Sequence, residues 1–569
     1  MPISRKRNNN SFYVRMKTKK KLGVAFLWHM HQPFYKDPLE GKYMMPWVRL
    51  HGIKDYYPMA ALVDEFDTVK VSFNMVPSLV EQLNDYTRLG ATDTFLDLTL
   101  KKAGALDFGD KVDILNNFFK VNFKRFIGPS DRYSGLLMKK GLKPLSGAAL
   151  KSTVKGFSES DFIDLQVLFN LSWFHSISID DDINLKDLVA KGSGYEEEDK
   201  EYVVLKQREI LSQILPLYRK LQDERQIEIT TTPYYHPILP LLCDTSIARV
   251  SSPHIRLPKN RFAHAEDAKW QIGEAVKYHT EQFGQPPKGM WPSEGSVSEE
   301  ALAIMMSNGL KWVATDEDIL FNSLSNNGKK NKALHVFDRS MIYTPFRFKK
   351  GDRHINMIFR DKNLSNLISF NYNSWKPEDA AQDLIGHLKK TAENIKADSD
   401  EGLLTIVMDG ENAWEYYPDN GRKFFESLYS AIDKQEDVYS TTVSAYLEGG
   451  CRTRNISNIF PGSWINHNFE IWIGEDQDNL AWEYLFRVRQ DLVGFEKESR
   501  SKGTAGQAKF REAWKEFYIA EGSDWNWWYT GKVRSGNDNP FDELYRTHLK
   551  NIYKILNRPV PDFLKISIA

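Results

Sequence analysis

Short apolar runs recur along the chain at wide intervals: 22–28, 69–73, 227–232, 289–291, 312–315, 355–359 and 403–408, with 438–442 as a candidate eighth. Long amphipathic stretches that read as helices separate them. Runs without a polar face suit strands of a parallel sheet covered on both sides, and the intervening helices supply the crossovers. The pattern predicts a barrel-like α/β fold over 21–450. Past about Gly450 it changes, and helical spacing over 478–497, 507–521 and 540–556 predicts a helical C-terminal domain over 451–569. Polar stretches at 180–201, 322–332 and 496–507 read as surface loops.

The polar residues that end these runs carry more information than the runs themselves. The first run leads into His29, His31 and Gln32, and the third into Tyr234, Tyr235 and His236. The next four lead into Glu294, into Asp316, into Arg360 with Asp361, and into Asp409 with Glu411. In a parallel barrel all strand C-termini share one rim, so residues hundreds of positions apart converge there. That rim is the candidate active site.

Composition narrows the class. The 569 residues carry 76 basic and 76 acidic side chains, so no net field draws the chain to nucleic acid or an anionic membrane. A 41% hydrophobic content with mean hydropathy −0.50 fits a soluble protein with sizeable cores. Cys243 and Cys451 form neither a disulfide scaffold nor a CxxC pair, which fits a reducing, cytoplasmic compartment. Residues 1–20 read as a disordered basic leader, because the apolar run after it is short for a signal peptide and breaks at His29 without a small-residue cleavage site. Aromatic residues make up 13%, which suits either sugar stacking or large cores. No phosphate loop, dinucleotide fingerprint, serine elbow or HExxH motif is present.

Two chemistries compete for the rim. Glu294 and Asp409, each with a tryptophan nearby (Trp291, Trp414), are the acid pair that glycoside hydrolysis needs, one to attack or activate water and one to deliver a proton. His29 and His31, with His236 and Asp409, could instead hold a divalent ion as in metal-dependent amide hydrolases and deacetylases. Loss of activity in EDTA and its return with zinc would favour the second.

The segments 27–33 (LWHMHQP), 231–237 (TTPYYHP), 289–298 (GMWPSEGSVS), 408–418 (MDGENAWEYYP) and 522–529 (GSDWNWWY) resemble, in order, the five sequence blocks of glycoside hydrolase family 57, on the branch of amylopullulanases and α-amylases. The resemblance implies an incomplete seven-stranded (β/α) barrel followed by a helical domain. It also implies retaining cleavage of α-1,4 links in α-glucans, with α-1,6 links left open and no metal or cofactor in the chemistry. The family nucleophile falls on Glu294 and the acid/base on Asp409, with the carboxyls expected about 5 to 5.5 Å apart. His29, His31, Gln32 and His236 resemble contacts to the sugar before the cut, and Trp291, Trp414, Asp524 and Trp525 resemble its walls. Arg360 lies outside the blocks and is expected to hold Glu294 ionised. 4-α-Glucanotransfer on the same fold and a non-catalytic glucan-binding protein are the alternatives.

Overall fold

Residues 21–143, 147–325, 338–395, 401–499, 504–529 and 538–568 are described by a computed structural model. The expected leader over 1–20 lies outside them, as do parts of the loops expected at 322–332 and 496–507.

All eight predicted runs are strands: β1 (Lys21–Met30), β2 (Val71–Met75), β3 (Ile227–Thr230), β4 (Gly289–Met290), β5 (Trp312–Asp316), β6 (Arg353–Arg360), β7 (Glu401–Asp409) and β8 (Val438–Ser440). The first seven pair in parallel in the order β4–β5–β6–β7–β1–β2–β3. A single pair, Thr231 with Met290, brings β3 back beside β4. The β6–β7 seam is equally thin, resting on Thr405 with Arg360. β8 pairs with the start of β1 at Leu22, Gly23 and Val24. The result is an incomplete seven-stranded barrel.

Two faces of each strand meet two cores. Ala25 and Leu27 of β1, Trp312 and Ala314 of β5, Ile358 of β6, and Leu403 and Val407 of β7 form one cluster with Trp291, Val443 and Tyr446 inside the barrel. Val24, Phe26, Trp28, Leu404, Ile406 and Met408 turn the other way into the larger core under the helices. Side chains two apart share a face. The inward stripes therefore run 25, 27, 29 on β1, 403, 405, 407, 409 on β7, 358, 360 on β6 and 312, 314, 316 on β5. Each switches from apolar to polar at the same end, delivering His29, Asp409, Arg360 and Asp316 to the mouth.

A hairpin strand at Phe346–Lys350 runs antiparallel to β6, and a short strand at Arg454–Ile456 pairs with it. The sheet thus extends slightly past Gly450, where only helices were expected. Beyond it lie α1 (Asp476–Ser499), α2 (Thr504–Ala520) and α3 (Asp538–Ile555). Among the described residues no helix is long and apolar enough to cross a membrane.

Candidate active site

β4 stops after two residues, and the chain turns through Pro292 and Ser293 so that Glu294 takes a left-handed backbone, φ 57° and ψ 25°. A non-glycine residue there costs on the order of 1 kcal/mol and needs support from its surroundings. That support is local. Gly295 N–H donates to Pro292 O at 2.8 Å, Trp464 N–H donates to Glu294 O at 2.9 Å, and the Thr315 hydroxyl donates to Gly295 O at 2.7 Å. Gly295 is itself at φ 60°, and a Cβ on it would stand 2.6 Å from the Trp291 ring.

The Glu294 carboxyl is buried and held by two indoles. Trp464 Nε1 donates to Oε2 at 2.7 Å and Trp527 Nε1 to Oε1 at 3.2 Å. An indole N–H can only donate, so both oxygens accept, and both bonds strengthen as the carboxyl gains negative charge. This arrangement suits the anion. Burial opposes it and, with the charges of Asp409 and Asp524, pushes the pKa up to about 7 against the two indole bonds. Asp409 ends β7, is partly exposed, and accepts from Asn412 Nδ2 on Oδ2 at 2.9 Å. Burial also raises its pKa, while His31 and Arg360 draw it back. The Asp409 charge also acts on Glu294, and like charges disfavour joint ionisation. The two indole bonds favour the charged form of Glu294, whereas Asp409 has one side-chain N–H bond.

Across the β1–β7 register His29 is the direct partner of Asp409. Its Nδ1 donates to Asn74 Oδ1 at 2.6 Å, since the Asn74 amide nitrogen is spent on Thr230 and Thr231. Burial, then repulsion from His31, lowers its pKa to about 3. His236, at φ 60°, places Nδ1 2.9 Å from Ser523 Oγ, and its buried Nε2 has no partner. Burial, then His31, holds its pKa well below the usual histidine range. His31 Nε2 lies 2.8 Å from Asp524 Oδ1, and its ring stacks on His236 with centroids 3.9 Å apart at 19°. His29 and His236 are thus neutral imidazoles near neutral pH, able to bond sugar hydroxyls.

The metal alternative takes a different form from the one expected. His31, His236 and Asp524 offer ligand atoms within 4.8 Å of one another, with Asp524 in place of His29 and Asp409. The nitrogen lone pairs lie in the ring planes. With the His31 and His236 planes nearly parallel and stacked, an ion in the plane of one sits well off the plane of the other. The donor types suit zinc, but the ring geometry does not.

Other expected residues fall in different places. Trp291, Trp414 and Trp525 are at most 1% exposed, so they are packing beneath and behind the mouth rather than open faces for a sugar. Trp414 Nε1 donates to Gly410 O and Trp525 Nε1 to Ile519 O. Gln32 is buried and accepts from the Tyr35 hydroxyl at 3.0 Å. Arg360 was expected to hold Glu294 ionised, but its nitrogens go to Val407 O, Asp316 and Asn366. It meets Glu294 only through Trp464, whose ring lies 5.3 Å from the guanidinium, and its charge acts on Asp409 instead. The strand register, which aims Arg360 at β7, is the cause.

Two side chains that bond the Glu294 carboxyl were not apparent from the sequence. Trp527 stands in the 522–529 segment with nothing to single it out from its neighbours, whereas Trp464 lies in a loop with no periodic signal. Only the fold brings it to Glu294.

No curated protein matches the chain. Among solved structures, the chain is similar to GH57 branching enzymes from Thermococcus kodakaraensis (15% identity, 94% of this chain and 90% of that one, TM-score 0.60) and Pyrococcus horikoshii (14%, 96% and 97%, 0.59). It is also similar to the α-amylase AmyC of Thermotoga maritima (12%, 95% and 93%, 0.55). At these identities the likeness establishes the fold alone. The glycosyl hydrolase family 57 sequence model, however, matches residues 25–459, from β1 to beyond β8, and spans Glu294, Asp409 and all three histidines. The chain belongs to glycosyl hydrolase family 57.

Proposed function

We propose that the protein is a retaining glycoside hydrolase that cleaves α-1,4 links in α-glucans such as starch, glycogen or maltodextrins. The observation that carries this reading is the asymmetry of the acid pair: Glu294 accepts two indole N–H bonds, one on each oxygen, which favour its anion, while Asp409 accepts a single side-chain N–H bond, on Oδ2. Glu294 attacks the anomeric carbon and forms a glucosyl ester as Asp409 protonates the departing oxygen. Asp409, now anionic, takes a proton from incoming water, which opens the ester and restores the starting state. His29, His31 and His236 contact the sugar before the cut, with Asp524 orienting His31. The free thiols of Cys243 and Cys451 suit a cytoplasmic location.

Transfer to a sugar hydroxyl is the second reading, favoured by the half-buried indoles of Trp464 and Trp527 that shield the ester from water. Incubation with amylose, pullulan and short maltooligosaccharides tests both. Reducing ends that accumulate on amylose support hydrolysis. Redistributed chain lengths at constant reducing ends support transfer, and inertness toward every α-glucan overturns the proposal.

A further inference from the structure

Of the fifteen tryptophans, all among the described residues, only Trp375 stands well out in solvent, at 44%. Five aromatic side chains reach this exposure among the described residues: Phe108, Phe123, Phe370, Trp375 and Tyr416. Isolated exposed aromatics need no explanation, but a cluster does. Four of these five sit on segments joined by one side chain. Arg125 donates to Tyr416 O at 2.6 Å through Nη2 and 3.1 Å through Nε, and to Asn373 O at 3.4 Å. Phe123 is two residues before Arg125, while Phe370 and Trp375 flank Asn373. The Tyr417 hydroxyl adds a second tie, donating to Ile368 O at 2.5 Å.

Beside Trp375 the solvent face of the helix Pro377–Asn394 presents Asp379, Gln382, Asp383, His387 and Lys390. Aromatic faces stack on the apolar faces of pyranose rings, and carboxylate and amide groups bond their hydroxyls. With Asp379 and Asp383 against the single Lys390, this face does not favour a polyanion. The patch is also continuous with the mouth: Tyr416 is seven residues beyond Asp409 in one loop, and Asn366, just before Phe370, holds Arg360.

We propose that Phe370, Trp375 and Tyr416, with the helix face beside Trp375, form an accessory α-glucan-binding site that holds a distant stretch of the polymer whose scissile bond lies at Glu294. This rests on the α-glucan reading above. It predicts that polymers gain an advantage over short substrates which the cleft alone does not provide.

The test compares the full-length wild type with Phe370→Ala/Trp375→Ala, measuring glycogen affinity by electrophoresis and kcat/KM on glycogen and maltoheptaose. In the double variant the glycogen Kd rises at least fivefold and the glycogen-to-maltoheptaose ratio of kcat/KM falls about fivefold. Trp375→Phe, which keeps a ring, retains most of the affinity and so separates stacking from misfolding. Changes within twofold in an otherwise glucan-active enzyme overturn the accessory site and leave the α-glucan reading intact. A wild type that neither binds nor cleaves α-glucan overturns both. Loss of a wild-type self-association in the variant, with glycogen affinity unchanged, makes the patch a protein interface and also overturns the proposal.

Discussion

Both Glu294 oxygens are tied to indole donors, and this sets how the residue responds to pH. A bond to the charged form lowers a carboxyl pKa, so losing one raises it. Trp464→Phe deletes the 2.7 Å bond and is expected to move the acidic limb of the pH–kcat/KM profile upward by about one unit. It should also cost about 10- to 100-fold in rate, as befits a hydrogen bond to a charged group worth about 1.5–3 kcal/mol. An unmoved limb would mean that Glu294 does not govern it. At this scale the sequence was informative where a polar residue ended an apolar run, as with His29 and Asp409. It was silent on Trp464, because a loop residue is placed by the fold and not by local periodicity. It misled for Trp291, Trp414 and Trp525, because a ring adjacent in sequence to a reactive group need not be open to solvent.

The β4-to-helix turn shows what an element contributes. Glu294 is aimed by a left-handed residue followed by a left-handed glycine packed on Trp291. Gly295→Ala adds a methyl group 2.6 Å from that ring in a conformation that disfavours it. The turn must shift, and kcat is expected to fall at least tenfold while the circular dichroism spectrum stays that of the wild type. Wild-type kcat would show that the turn's geometry is not limiting. The barrel strands were legible because burial on both faces removes polar residues from them. The Phe346–Lys350 strand was not, since its outer end carries Lys349 and Lys350 in solvent and reads as a loop. The two-residue β4 was legible as the apolar run 289–291 that ends in Glu294.

Across the whole molecule, the region after the barrel completes the mouth. Ser523, Asp524 and Trp527 reach His236, His31 and Glu294 respectively, so barrel and C-terminal helices build one site. Its helical character could be read from spacing, but not its contribution of Trp527, which depends on docking over hundreds of residues. Stability across pH follows from buried neutral histidines. His279 on the helix Ala265–Phe283 has no partner for either ring nitrogen, and burial lowers its pKa to about 3. The unfolded chain binds a proton there below about 6.5 while the folded chain does not, so this residue's contribution to stability is lost as pH falls below 6.5. His279→Leu removes that loss. Its stability relative to wild type should improve by about 2 kcal/mol between pH 8 and pH 5, measured by urea unfolding. A difference independent of pH would contradict the assignment.

The central claim is that Glu294 attacks and Asp409 handles the proton across one bond, so Glu294→Gln and Asp409→Asn should each lower turnover by several orders of magnitude. Azide rescue with α-maltosyl fluoride, whose fluoride departs without a proton, distinguishes the two roles. In Glu294→Ala, azide takes the place of the missing carboxylate and is expected to give the β-glycosyl azide. In Asp409→Ala, azide opens the glucosyl ester from the opposite face and is expected to give the α-anomer. The reverse assignment of anomers, or rescue of neither variant, would contradict the account.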